Sequence, residues 1–265
     1  MVYRLDRLEE NCINPVTGYQ YDNSWIIFIL DNSKDYRQMC GCNGGCAYTV
    51  RTSRSQYKDW RMAVCDFAGY GEADGKNVLL VMDEADWMSA REFYKGHKYN
   101  DQLLRSNEPS VLIHSTPMEN WTMIKQDGIL KSWKKLKAEG VINEEQPVGR
   151  ILGDPEDFSN YIMFGSGVTG EIVVNSKQQG SIVMDVNAKY STGARLYFDA
   201  ARIAKDGLLV RDGCHIKVKD MLPLEPYLIW SATWETAGLE SQVSSPKVFA
   251  SKADSRFMDI TGYSI

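Results

Sequence analysis

The sequence predicts an α+β protein, with a small mixed α/β region over residues 1–108 and a strand-rich region with short helices over residues 109–265. Three observations predict this class. The apolar runs have the length of buried strands, the helix-period runs are short and several end at glycine, and Ser106-Asn107-Glu108-Pro109-Ser110 reads as a linker between two differently patterned halves. The 265 residues carry 30 Lys+Arg against 35 Asp+Glu, a formal net charge of −5, with 43% hydrophobic residues. That balance fits a globular chain and excludes intrinsic disorder and collagen-like structure. It also argues against a broad basic surface for nucleic acid, leaving only a small, site-like contact.

The longest apolar run, Trp25–Leu30, is too short to span a membrane. The opening residues alternate acidic and basic side chains where a secretory signal would be apolar, so a cytoplasmic protein without membrane contact is expected. Trp25–Leu30 and Ala47–Arg51 read as strands, and Trp60–Phe67 as an alternating stretch. A loop punctuated by Gly69, Gly71 and Gly75 follows, then a strand at Val78–Met82. A helix from Glu84 to about Leu104 comes next, bent near Gly96. Leu80–Asp86 imitates the acidic strand end of a helicase-type nucleotidase. However, Gly71–Asn77 is one residue short of a phosphate loop and ends in Asn77 where a hydroxyl is required, so a helix start with acidic residues at its positive end is the better reading.

Cys40, Cys42 and Cys46 crowd into Cys-Gly-Cys-Asn-Gly-Gly-Cys, with Cys65 as a candidate fourth thiol. The C-x-C-x3-C spacing lacks the second matching pair of a structural zinc site, so a zinc knot and a reduced-thiol turn both stay open and no metal ligand is assigned.

In the second region Val111-Leu112-Ile113 is an apolar strand ending in His114-Ser115-Thr116. Thr116 as N-cap, Pro117 at the first helical position and Glu119 three residues after the cap predict a capping box. Met118, Trp121 and Ile124 then share a helix face, and Gly128 supplies a left-handed stop. Further strands are expected at Tyr161–Phe164, Ser181–Val186 and Arg195–Phe198, with a short helix or irregular segment over Val168–Gln179. A helix at Ala200–Lys205 closes at Gly207. The strands Leu208–Arg211 and His215–Val218 flank the turn pair Asp212-Gly213, and a strand at Tyr227–Ser231 follows Pro223 and Pro226.

Strand, His-Ser-Thr, helix and then Asp-Gly-Ile-Leu resembles the opening of the ADP-ribosyltransferase-like fold. Leu196–Gly207, Asp212–Val218 and Leu222–Leu228 are similar, in order, to the C-terminal half of two of its branches, the RNA 2′-phosphotransferases of the Tpt1/KptA type and the DarT-like transferases acting on DNA. The matches span most of residues 111–231. The resemblance implies a split β-sheet core in residues 109–265, with NAD as substrate.

It also implies that the backbone beside His114 holds the nicotinamide amide, that the His114 imidazole reaches the adenine-side ribose, and that Thr116 caps the helix. Ser115 stands where the family usually has glycine. The aromatic side chain that stacks on nicotinamide maps to Tyr161 or Phe164. His215 occupies the place of the DarT-like catalytic glutamate, and an imidazole cannot offset the charge developing on the sugar as a carboxylate does. Glu171, after a glycine-rich turn, is the alternative carboxylate, expected on the pocket rim. Arg150, Arg195 and Arg211 are the candidate phosphate-binding arginines.

The implied activity is transfer of ADP-ribose to a macromolecular acceptor, with RNA and DNA as candidates. A toxin or phage-defence role and a regulatory or antitoxin partner are implied by resemblance alone. NAD-dependent removal of an RNA 2′-phosphate, and a degenerate module that binds ADP-ribose or nucleic acid without turnover, are the alternatives.

Overall fold

The computed structural model describes every residue except 10, 33–34, 43–46, 98–100 and 152. The chain divides into two units. Unit 1 comprises Met1–Asn100, Leu152–Phe158 and Val210–Ile216; unit 2 comprises Asp101–Ile151, Ser159–Leu209 and Lys217–Ile265. The stretch 106–110, read from sequence as the linker, thus lies inside unit 2, and two later segments join unit 1.

Unit 1 is built on β1 (Val2–Leu5), β2 (Trp25–Asp31), β3 (Gln38–Cys42), β4 (Tyr48–Ser53), α1 (Trp60–Ala73), β5 (Asn77–Val81) and α2 (Glu84–His97). The strands form one sheet in the order β1-β5-β2-β4-β3, parallel except for the antiparallel edge strand β3. Strand alternation sorts the apolar residues to two faces. Trp25, Ile27, Ile29, Leu79 and Val81 form a core on one, while on the other side Phe28 meets Phe67 of α1 with ring centroids 5.5 Å apart.

The stretch Trp60–Phe67, expected to alternate as a strand, is the first half of α1, and the helix runs on through Gly69 and Gly71. Gly71 is a contact residue and not a loop signal: a Cβ there would lie 2.4 Å from Val78 Cγ2 and 2.8 Å from Ile26 Cδ1, so its bare backbone lets α1 lie close on the sheet. Helix α2 starts as the acidic residues imply, with Asp83 Oδ1 accepting from the Asp86 amide at 2.7 Å. It passes Gly96 without a break and is described as far as His97; 98–100 lie outside the described residues, and 101–104 are not helical, so the expected run to Leu104 is not seen.

The two returning segments of unit 1 are tied in by specific contacts. The Gly153 carbonyl accepts from the Cys42 amide at 2.7 Å along the outer edge of β3, and Asp157 accepts from the Tyr70 hydroxyl. A Cβ on Gly213 would lie 2.2 Å from the Ala63 carbonyl oxygen of α1, at a residue whose φ of +80° already favours glycine.

Unit 2 begins with β6 (Val111–Thr116), α3 (Met118–Asp127), β7 (Ile129–Lys131), α4 (Trp133–Ala138) and α5 (Val148–Ile151). Next come β8 (Tyr161–Met163), α6 (Thr169–Gln179), β9 (Tyr190–Ser191), β10 (Ala194–Asp199) and α7 (Ala200–Lys205). The chain ends with β11 (Leu209–Arg211), β12 (Ile216–Lys219), β13 (Met221–Pro223), β14 (Leu228–Ala232), β15 (Val243–Ser244) and α8 (Pro246–Thr261). Strands β14, β10 and β6 form an antiparallel sheet with β6 at its edge, while β12 pairs with β8 and β13 with β7. The architecture is therefore a mixture of helices and several small sheets. No helix among the described residues is long and apolar enough to cross a membrane.

Two expectations for unit 2 change, and one helix is added. Thr116 is the last residue of β6 and not an N-cap; Pro117 takes that position with extended geometry and no side-chain cap, because β10 holds β6 in register through Ala194 opposite Thr116. Residues 181–186 form no strand: the Val183 amide is taken by Ser176 Oγ at 3.0 Å, and Met184 is 64% exposed. Helix α8, absent from the sequence reading, packs Phe257 flat on Tyr197, with centroids 4.2 Å apart and planes 6° from parallel.

Candidate functional site

In β6, Val111 and Ile113 face the core that holds Phe249 and Phe257, so alternation puts Ser115 on that face and His114 on the other. Register sets Arg195 opposite Ser115, and Leu196 opposite His114.

On the Ser115 face Ser115, Glu171, Tyr190, Arg195 and Asp254 are joined in one buried polar network. Ser115 Oγ donates to Glu171 Oε1 at 2.5 Å, and the Tyr190 hydroxyl donates to Glu171 Oε2 at 2.6 Å. Arg195 Nη1 lies 3.5 Å from Glu171 Oε1. The guanidinium is gripped bidentately by Asp254 of α8 at 2.7 and 3.0 Å, and it donates to the Gly167 carbonyl at 2.8 Å. Burial raises the Glu171 carboxyl above its ordinary range, with Arg195, Ser115 and Tyr190 pulling the other way. Glu171 and Arg195 are both fully buried, with exposures of 0% and 1%. The expectation of a rim carboxylate therefore fails, because Glu171 points from α6 into the core and its two oxygens already serve as acceptors. Ser115 likewise lies under α6, where a Cβ on Gly170 would come within 2.6 Å of its hydroxyl.

On the opposite face His114 Nδ1 lies 3.0 Å from the Met163 carbonyl. A carbonyl only accepts, so Nδ1 carries the proton and Nε2 is left as an acceptor. Burial lowers the imidazole pKa against the opposing pull of that bond, keeping the ring neutral at pH 7. Phe164 stands edge-on to it at 6.4 Å.

Of the two candidate stacking rings, Phe164 is the one beside His114. The Tyr161 ring is covered by the ammonium of the buried Lys217 at 4.5 Å. The backbone of Ser115 also has a defined direction. Ile113 offers its carbonyl to the Gly165 amide at 2.9 Å, on the edge away from β10, so the alternation of an antiparallel strand turns the Ser115 N–H and C=O to that same outer edge. A cavity of about 430 Å³ elsewhere in unit 2 is lined by Trp121, Lys125, Gly128, Leu224, Glu225 and Leu228, and holds none of the expected site residues.

His215 and Arg211 belong to unit 1, whereas the other expected site residues belong to unit 2. His215 sits in a different constellation, its Nδ1 at 3.3 Å from Asp212 Oδ2 and its Nε2 at 3.6 Å from Cys40 Sγ. The other Asp212 oxygen accepts from the amides of Cys214 and His215 at 2.9 and 2.6 Å. Phe158 stands edge-on to the imidazole at 5.3 Å, and Tyr48 Oη lies 3.5 Å from Nδ1. A hydrogen bond from Cys214 lowers the Cys40 thiol to about 4 against burial. Burial pulls His215 down, but Asp212 and Cys40 push it up to about 10.

The Cys65 thiol stands in α1 and is pushed up to about 12 by burial and Asp66. Cys12 is disulfide-bonded, whereas Cys40, Cys42, Cys65 and Cys214 carry thiols; Cys46 lies outside the described residues.

Asp254, Tyr190, Lys217, Cys214 and Asp212 were not read from sequence as site residues. For Asp254 a signal existed: Ser245-Pro246 and Gly262 mark both ends of its helix. No protein-family model, no curated protein and no solved structure matches this chain.

Proposed function

We propose that the protein is an ADP-ribosyltransferase that consumes NAD, releases nicotinamide and passes ADP-ribose to a macromolecular acceptor. The observation that carries this reading is the end of edge strand β6. It turns the Ser115 amide and carbonyl outward, where a carboxamide can pair with both, and it presents a neutral His114 acceptor beside Phe164. In this reading Ser115 main-chain groups fix the nicotinamide amide, Phe164 covers its ring, and His114 Nε2 accepts a hydrogen bond from a ribose hydroxyl. The bond between the ribose C1′ and the nicotinamide nitrogen breaks, its electron pair leaving with nicotinamide. An acceptor nucleophile then adds to C1′ and gives up its proton to solvent.

Two expected participants take other roles. Glu171 holds the Ser115 hydroxyl and Arg195, so it is a positioning residue for the β6 end. Arg195 is committed to Asp254 and Glu171, which weakens the 2′-phosphotransferase alternative, since that activity asks for arginines converging on one phosphate. The test is incubation of the purified chain and a cell extract with NAD labelled on the adenylate phosphate. Free nicotinamide is quantified and acid-insoluble label is challenged with nucleases or protease. Transfer that His114→Ala abolishes, with Phe164→Ala raising KM for NAD, is the expected result. No nicotinamide and no transferred label would overturn the reading in favour of a binding module or of a 2′-phosphorylated RNA substrate.

A further inference from the structure

We propose that unit 1 carries a zinc site formed by Cys40 Sγ, Cys214 Sγ and His215 Nε2. Independent of the activity proposed for unit 2, it rests on the geometry of residues distant in sequence. Among the described residues these three are brought together with their ligand atoms all within 4.8 Å of one another. Zinc bonds of about 2.3 Å to sulfur and 2.0–2.1 Å to nitrogen, opened to a tetrahedral angle, set sulfur and nitrogen about 3.5 Å apart. The Cys40 Sγ to His215 Nε2 distance is 3.6 Å, so one ion reaches both without moving either residue far.

The surroundings match those of a metal-bound imidazole. A ligating histidine offers one nitrogen to the ion and gives the proton on the other to a carboxylate, which fixes tautomer and ring orientation. Here Asp212 faces Nδ1 at 3.3 Å while Nε2 faces Cys40 Sγ at 3.6 Å. Asp212 is itself fixed by the two amides it caps, and its side chain is fully buried. A cysteine nucleophile acting on a substrate through His215 would need the histidine and the carboxylate but not a second thiol. Cys214 at the same point favours the ion.

The fourth position is assigned to water beside the exposed Cys40. Bound zinc would clasp the 210–216 turn to edge strand β3, reinforcing the bond from Gln38 Nε2 to the Gly213 carbonyl at 2.8 Å.

The whole 265-residue chain, expressed with zinc and dialysed, should retain about one zinc per chain. Cobalt in its place should give the near-ultraviolet charge-transfer band of thiolate ligation. Cys40→Ser and Cys214→Ser should each weaken that band and lower zinc affinity at least about tenfold. Asp212→Asn should weaken affinity about 10–100-fold while keeping full occupancy at saturating zinc. Cys65→Ser serves as the control that changes nothing, and circular dichroism verifies that each variant is folded. Absence of zinc and of the cobalt band in the wild type would overturn the site, as would a band indifferent to Cys40→Ser and Cys214→Ser. Alkylation of Cys40 by iodoacetamide at the same rate with and without zinc would also overturn it, in favour of a free nucleophilic thiolate.

Discussion

At the scale of single residues, the side chains of β6 divide by parity. Ser115 goes to a buried ionic network and His114 to the face that meets Phe164. The network has a weak direction: Arg195 is 1% exposed, so taking away its bidentate partner leaves a buried cation. Asp254→Ala is therefore expected to cost about 3–5 kcal/mol, read as a shift in urea midpoint; a loss no larger than that of a surface substitution would show that the pair is dispensable. His114 makes a pH prediction. Its folded pKa lies below the ordinary 6.5, so the unfolded chain binds more protons in that range. The stabilisation is complete above 6.5 and is lost as pH falls through the folded value. Wild type should lose more stability between pH 7 and pH 5 than His114→Gln, whose amide can still donate to the Met163 carbonyl. Parallel losses would mean that His114 is not held neutral by the fold.

At the scale of elements, close backbone approach explains what propensity does not. Gly193 precedes β10, and a Cβ there would lie 1.9 Å from the Thr116 carbonyl oxygen at the end of β6. A carbonyl of a paired strand cannot rotate away as a side chain can, so the strand end must shift. Gly193→Ala should destabilise by about 3 kcal/mol or more, measured by thermal or urea unfolding. Under the activity proposed above it should also reduce nicotinamide release, because the displaced segment carries His114 and Ser115. Unchanged stability would refute the contact. The same reasoning accounts for α1, where alternation over Trp60–Phe67 and three nearby glycines suggest a strand and loop. Gly71 is instead a contact in a helix pressed on Ile26 and Val78, and only Gly75, with φ of +69°, lies past the helix end with the left-handed backbone of a turn glycine.

At the scale of the whole molecule, unit 1 is discontinuous in sequence. Its edge strand β3 takes the Gly153 carbonyl, and Tyr70 and Gln38 bond to Asp157 and Gly213, all supplied from beyond residue 150. A fragment of residues 1–108 therefore lacks part of its own packing and leaves β3 uncovered, an edge prone to pair with other chains. The fragment should show a broad or absent unfolding transition and concentration-dependent association. A sharp, two-state transition in a monomeric fragment would show that the returning segments are ornamental to unit 1.

Much of the local structure was legible in the sequence. Apolar runs gave β2, β4, β5 and β6, the Asp-Gly pair gave the turn between β11 and β12, and Gly128 and Gly207 marked helix ends, because strand length, turn geometry and left-handed backbone depend on neighbouring residues. The ends of α8 were written just as locally, in Ser245-Pro246 and Gly262. What the helix does was not, since Asp254 meets Arg195 only once the chain folds back across a separation of 59 positions. Glu171 and His215 show the limit most clearly. Residue type marked both as candidates, but whether a carboxylate faces a cleft or a buried arginine, and whether an imidazole faces a sugar or two cysteines, is set by partners far along the chain. Sequence alone determined the mixed class, apolar strands such as β2, β5, β6 and β10, and the residue types at the candidate site. Only tertiary structure decided the partners, because burial and charge pairing are properties of the assembled neighbours and not of the residue.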